Sequence, residues 1–371
     1  MIPVWEPVLD GNEERYVLDC LETNWVSSLG QYISRFEELF SRYCGAAHGV
    51  ACSSCTTGLH MAMVALGIGP GDEVVIPDFT LIVSANTVLQ AGARPVLTDV
   101  DARTWCLDPA KIEEKITPKT RAILAVHMYG HPCDMAAIGE IARRHGLLVI
   151  EDGAEAHGAE MDGRRVGSFG DAACFSFYGN KILTTGEGGM VLCSDEKLAK
   201  RLRLLRDQGF EHPRFVHNVV GYNYRLTNVQ AAIGLAQTEK VTEKVEKKRE
   251  IARWYAEALS GCPDVTLPCE APGAKNVYWM YGVKLSDRFG QGRDAVMAQL
   301  KEKGVETRAF FCPMHMQPVF RDGSDPRYPD TRGSFPVSED LWKRGLYLPS
   351  GLGLTGSQVE EVAAKLLECR P

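Results

Sequence analysis

The sequence predicts an α/β protein: a mostly parallel sheet sandwiched by helices, followed by a smaller C-terminal α+β domain. Three observations predict it. Short apolar runs alternate with longer amphipathic ones between about residues 45 and 195. The stretch 228–259 carries helical spacing, with Lys and Glu side chains four apart in its middle. Pro263, Pro268, Pro272 and Gly273 then mark a loop-rich boundary before a segment with its own strand and helices.

In the first part, strands are expected at 73–77, 95–100, 122–127, 147–152, 173–178 and 190–194, with helices at 56–66, 82–91 and 135–145. Residues 228–259 read as one or two long helices, their charged face solvated. Beyond them, a strand at 279–285 and helices at 293–303 and 358–368 complete the chain. The expected division is a large domain, 1–240, and a small one, 241–371.

Composition narrows the function. The chain has 371 residues, 45% hydrophobic and 24% charged, enough for two domains with substantial cores. A net charge of −7 gives no general attraction to nucleic acid or anionic membranes. The N-terminus lacks a basic stretch followed by an apolar core, and no apolar run approaches the roughly 20 residues that span a bilayer. The 12 cysteines are scattered, as expected of reduced thiols in a cytoplasm. Cys52 and Cys55 form a lone CxxC without a second pair or clustered histidines, so no metal site is expected. His127 and His131 flank what reads as a strand end running into a loop, so core or substrate-lining roles suit them better than helical ligation. A GxGxxG match at Gly351–Gly356 has only one helix after it and cannot complete a dinucleotide-binding βαβ unit.

The chemistry lies in three segments. In the first, a strand ends, Lys181 follows, and a glycine-rich turn (Gly186, Gly188, Gly189) leads into another strand. A lysine in a partly apolar concavity sheds its proton and attacks an aldehyde. In the second, the apolar strand 147–152 delivers Asp152 to its carboxyl end, where ligands bind in such sheets and where a carboxylate suits a pyridinium nitrogen. In the third, Ser53, Ser54, Thr56 and Thr57 open a helix whose free amides and dipole favour a phosphate. Singly, each has an ordinary explanation: an exposed lysine by a turn, a loop anchor, an N-cap. Together, on this scaffold, they fit pyridoxal 5′-phosphate.

At these residues the sequence resembles the DegT/DnrJ/EryC1/StrS family of sugar aminotransferases, within the fold-type-I pyridoxal-phosphate enzymes. The resemblance runs through segment 3–13, Gly69-Pro-Gly-Asp-Glu-Val, Ser176 to Gly189, Gly221 to Asn228, and Pro313-Met-His315. It implies that Lys181 holds the cofactor as a Schiff base and shuttles the proton. Asp152 is implied to pair with the ring nitrogen, Glu155 to lie near the ring hydroxyl, and Thr56, Thr57 and Ser176 to bind the phosphate. It further implies that Asn223 reaches the phosphate from the neighbouring subunit of a homodimer, and that His315, with Arg225, lies on the substrate side.

Two cofactor positions depart from the pattern: Cys55 replaces a small residue, and Leu81 stands where an aromatic ring commonly stacks. The resemblance extends to members that move an amino group from L-glutamate to C4 of a GDP-linked 4-keto-6-deoxymannose, although His131 stands where glutamine is expected. A UDP- or dTDP-linked keto sugar and a cyclitol ketone are alternative substrates. Related dehydratases carry histidine in place of Lys181, and a regulatory protein without turnover is a further alternative.

Overall fold

The computed structural model describes residues 1–211, 213 and 215–371. Its centre is a seven-stranded sheet: β1 (His48–Cys52), β2 (Glu73–Pro77), β3 (Arg94–Thr98), β4 (Thr120–Val126), β5 (Leu148–Asp152), β6 (Ala172–Ser176) and β7 (Gly189–Cys193). The spatial order is β1-β7-β6-β5-β4-β2-β3. Neighbours from β6 through β3 pair in parallel, while β7 runs antiparallel to both β6 and β1. Strands β2, β6 and β7 are buried at every position, as near-continuous apolar runs between two helical layers require.

The six expected strands of this region form within two residues of their predicted bounds, but β1 was not anticipated. Its sequence, His-Gly-Val-Ala-Cys, is short and poor in β-formers. A side chain at Gly49 would meet the Glu37 carbonyl oxygen at 2.7 Å, so tertiary contact selects the glycine.

Helix α1 (Cys55–Ala65) starts at a capping box in which Ser54 and Thr57 satisfy each other's backbone amides. Helix α2 (Met135–His145) is bounded by the Asp134 cap and by Gly146 in the left-handed conformation, which explains why its predicted limits match. Residues 228–259 form two helices, α3 (Asn228–Glu239) and α4 (Val241–Leu259), that meet at Lys240.

The later part of the chain builds a four-stranded sheet from β8 (Val265–Thr266), β9 (Tyr281–Leu285), β10 (Arg308–Ala309) and β11 (Gly345–Leu348), in the order β8-β9-β11-β10. It is covered by helices that include Arg293–Glu302 and Gly356–Leu367. The latter is capped by a box between Thr355 and Gln358, the role that the GxGxxG match serves.

Buried apolar side chains form two clusters, one on the central sheet and one around Tyr255, Tyr281, Leu346 and Val359. Ile2 belongs to the second, bridged to Val305, while Trp279, Phe310 and Tyr347 belong to the first. The two parts of the chain therefore exchange side chains where they meet, and the cavity described below lies at that junction. Among the described residues, no helix is long and apolar enough to cross a membrane.

Candidate active site

Val126, Asp152 and Ser176 are the last residues of β4, β5 and β6, and all three face one cavity of about 310 Å³. Thr80 and Leu81, just past β2, and Cys55 and Thr56, at the start of α1, close one side. Lys181 stands opposite, with Trp279, Phe311 and Tyr347 contributed by the later part of the chain.

Adjacent carboxylates at the end of β5 have opposite duties, because successive strand side chains point to opposite faces. Glu151 is fully buried and accepts from the amides of Gly167 (2.9 Å), Phe169 (2.8 Å) and Gly170 (2.8 Å), with His127 Nε2 at 3.2 Å. Burial pushes its pKa up, but these partners more than offset that and hold it below the ordinary value. Asp152 faces the cavity with far less: the Ala154 amide at 3.1 Å and the Cys55 thiol at 3.9 Å, both on Oδ1. Burial therefore dominates and raises its pKa, against the Ala154 amide and the Lys181 charge. A buried carboxylate so poorly matched is poised for a cation.

The Lys181 amine is nearly buried, 3.8 Å from Glu155 Oε1 and 3.5 Å from the centroid of the Trp279 ring. Burial pulls its pKa down, against the pull of Glu155 and Asp152, which favours the nucleophilic free amine. The other oxygen of Glu155 accepts from the Tyr129 amide at 2.8 Å. Burial lifts Glu155 to about 7, with Lys181 opposing.

At the start of α1, Ser54 Oγ takes the Thr57 amide and the Ser54 carbonyl takes that of Gly58. Among the described residues nothing accepts from the amides of Cys55 and Thr56, and both residues line the cavity. Two free amides at the positive end of a helix suit a phosphate. Amine, buried carboxylate and free amides are the donor set that pyridoxal phosphate requires, and they surround a single cavity.

Of the residues expected from sequence, Cys55, Thr56, Leu81, Asp152, Glu155, Ser176 and Lys181 line this cavity. Thr57 does not; its hydroxyl accepts from the Ser54 amide at 3.1 Å in the capping box. Leu81 is 46% exposed at the rim, and Phe79 is fully buried against Tyr129 and Phe310, so it does not supply the missing aromatic face. Asn223 is exposed and lies outside its own chain's cavity, and Arg225 pairs with Asp207 at 2.5 Å. His315 is not among the lining residues: its Nδ1 lies 2.7 Å from Asp78, its amide donates to the same carboxylate at 2.8 Å, and its ring stacks on Phe335. His127 and His131 are core residues, the latter accepting from the Ala271 amide through Nε2 at 3.1 Å. Sequence reasoning missed Trp279, Phe311, Tyr347, Tyr178 and Asn180. The last two lie within three residues before Lys181 in the chain, and proximity could have found them.

Residues 7–367 match the DegT/DnrJ/EryC1/StrS aminotransferase family. The chain belongs to this family. The aminotransferase is 48% identical over 367 residues to the GDP-perosamine synthase of Caulobacter vibrioides, covering 98% of this chain and 97% of that protein. It is 42% identical over 368 residues to the GDP-perosamine synthase of Escherichia coli O157:H7, covering 99% and 98%. Among solved structures it resembles S. venezuelae DesV, crystallised with a ketimine intermediate: TM-score 0.89, 36% identity, 96% of this chain and 94% of that one. The α/β aminotransferase fold expected from sequence is therefore the fold observed, and the enzyme class agrees with it.

Proposed function

We propose that this aminotransferase uses pyridoxal 5′-phosphate to transfer an amino group from L-glutamate to C4 of GDP-4-keto-6-deoxy-D-mannose, giving GDP-perosamine. The observation that carries the reading is Lys181: a buried amine with lowered basicity, in the same cavity as a buried, under-satisfied Asp152. The nucleotide sugar follows from the full-length similarity to GDP-perosamine synthases.

When bound, the cofactor supplies an aldehyde for amines and an electron sink for a C–H bond next to nitrogen. The residues do the rest. Asp152 would keep the ring nitrogen protonated, and that positive charge would in turn relieve the cost of its own burial. The amides of Cys55 and Thr56 and the Ser176 hydroxyl would hold the phosphate. Glu155 would hold the ring hydroxyl and Leu81 would pack against the ring. Lys181 would hold the cofactor through its aldehyde and would move a proton at Nζ in both halves of the reaction.

We assign the working unit as a cytoplasmic homodimer with shared sites. Asn223 is exposed and does not line its own chain's cavity, which supports a role in the partner's, and exposed Trp25, Val26 and Leu29 offer apolar surface for contact. Substrate roles for His315 and Arg225 are part of the same proposal.

Borohydride reduction of the purified protein, followed by peptide mapping, tests the first half: cofactor fixed to Lys181 is expected, and its absence there defeats the reading. Incubation with L-glutamate and a panel of keto sugar nucleotides tests the second. A 42% identity over 321 residues to a UDP-N-acetyl-3-dehydro-alpha-D-glucosamine 3-aminotransferase favours a UDP-linked 3-keto sugar as the second reading, and the same panel distinguishes the two.

A further inference from the structure

A lysine that binds a cofactor covalently must stand free for half of a transamination, and its charged form then needs somewhere to go. We propose that the face of Trp279 and the carboxylate of Glu155 form a rest site for the freed Lys181 ammonium, an inference that rests on the pyridoxal-phosphate reading above.

The geometry is specific. Nζ lies 3.5 Å from the centroid of the Trp279 ring and 3.8 Å from Glu155 Oε1, so the amine is held between an aromatic face and an anion. Neither partner is loose. Glu155 is anchored through its second oxygen by the Tyr129 amide at 2.8 Å. Trp279 is 3% exposed, stacks on Tyr129, and donates from Nε1 to the Asn180 carbonyl at 2.7 Å. Trp5 Nε1 donates at 3.2 Å to the carbonyl of the preceding residue, Gly179. Two indoles from distant segments thus fix the two carbonyls that lead into Lys181, and one of them also offers its face to the amine.

The approach of the Trp279 loop depends on Gly130. Its φ is +98°, and a Cβ there would lie 2.8 Å from the backbone nitrogens of both Tyr278 and Trp279.

A buried ammonium without partners loses its proton. Cation–π attraction in a desolvated site and a facing carboxylate restore part of the lost hydration. The rest site therefore opposes the effect of burial on the freed amine and holds it close to the reacting carbon, instead of letting it swing out to solvent. Trp279 and Glu155 act here as positioning residues, through Lys181.

The test uses holoenzyme treated with excess L-glutamate and no acceptor, which leaves Lys181 free. Acetylation of Lys181 is followed against pH by mass spectrometry, and the midpoint reports the basicity of the amine. Glu155→Gln and Trp279→Leu are each expected to lower the midpoint by about one pH unit. Trp279→Phe, which keeps an aromatic face and guards against a variant that fails to fold, should fall between Trp279→Leu and wild type. Midpoints of the Gln and Phe variants indistinguishable from wild type overturn the proposal. A wild-type protein in which borohydride fixes nothing to Lys181 marks a different failure, that of the cofactor reading itself.

Discussion

Glu151 and Asp152 are neighbours on β5 whose carboxylates point to opposite faces of the sheet, one saturated with hydrogen bonds and one nearly bare. Their substitutions should therefore act in opposite directions. Glu151→Gln leaves buried amides under-satisfied and is expected to cost about 2–4 kcal/mol of stability. Asp152→Asn removes a carboxylate whose pKa is raised by burial, a group that opposes folding at neutral pH. The cofactor-free Asn variant should melt at or above the wild-type temperature while losing its hold on the cofactor. Melting curves with and without pyridoxal phosphate read both effects; a destabilised Asp152→Asn protein contradicts the division of labour.

Lys181→Ala should fold, since the side chain sits at a cavity wall where little packing is lost. Bound cofactor should resist fixation by borohydride, and turnover should fall by more than about 100-fold, the scale of a lost general acid–base group. Peptide mapping and single-turnover assays check the two halves separately.

What the sequence disclosed was local. Asp152 ends an apolar run, Lys181 precedes a glycine turn, and the hydroxyl-rich start of α1 carries its own cap, so each could be placed from its neighbours. What stayed hidden was brought from a distance. Trp279, Phe311 and Tyr347 reach the cavity from beyond the proline-rich boundary, and no periodicity in their own segment marks them as facing a site on another sheet. Likewise Thr57 looked like a phosphate ligand because its hydroxyl is near a helix start, yet the capping box competes for that same hydroxyl. Strand β1 has weak intrinsic preference and forms through its pairing with β7.

Leu81 covers the cavity rim with an aliphatic side chain that is 46% exposed. Leu81→Trp adds a polarisable face where the ring of the cofactor is expected. Offset stacking contributes about 0.5–1.5 kcal/mol, so cofactor loss on dilution should slow roughly two- to tenfold. Fluorescence of released cofactor measures the rate. Unchanged or faster release would show that Leu81 does not face the ring.

His157 links the core beside the site to the pH range in which the enzyme holds together. Its ring packs among Phe40, Phe175 and Phe177, and burial, followed by the nearby Lys181 charge, pulls its pKa down from 6.5 to about 3. The unfolded chain therefore takes up a proton below about pH 6.5 that the folded chain refuses until near pH 3. Stability contributed by the neutral ring is complete above that window and drains away as pH falls through it. Between about pH 6.5 and 5 this amounts to roughly 2 kcal/mol from one histidine. Urea unfolding of wild type and His157→Leu at both ends of that interval isolates the contribution, because the other titrating groups are common to the two proteins. The variant should lose less stability on acidification than wild type by about that amount. Parallel losses in the two proteins would mean that His157 accepts its proton in the folded state.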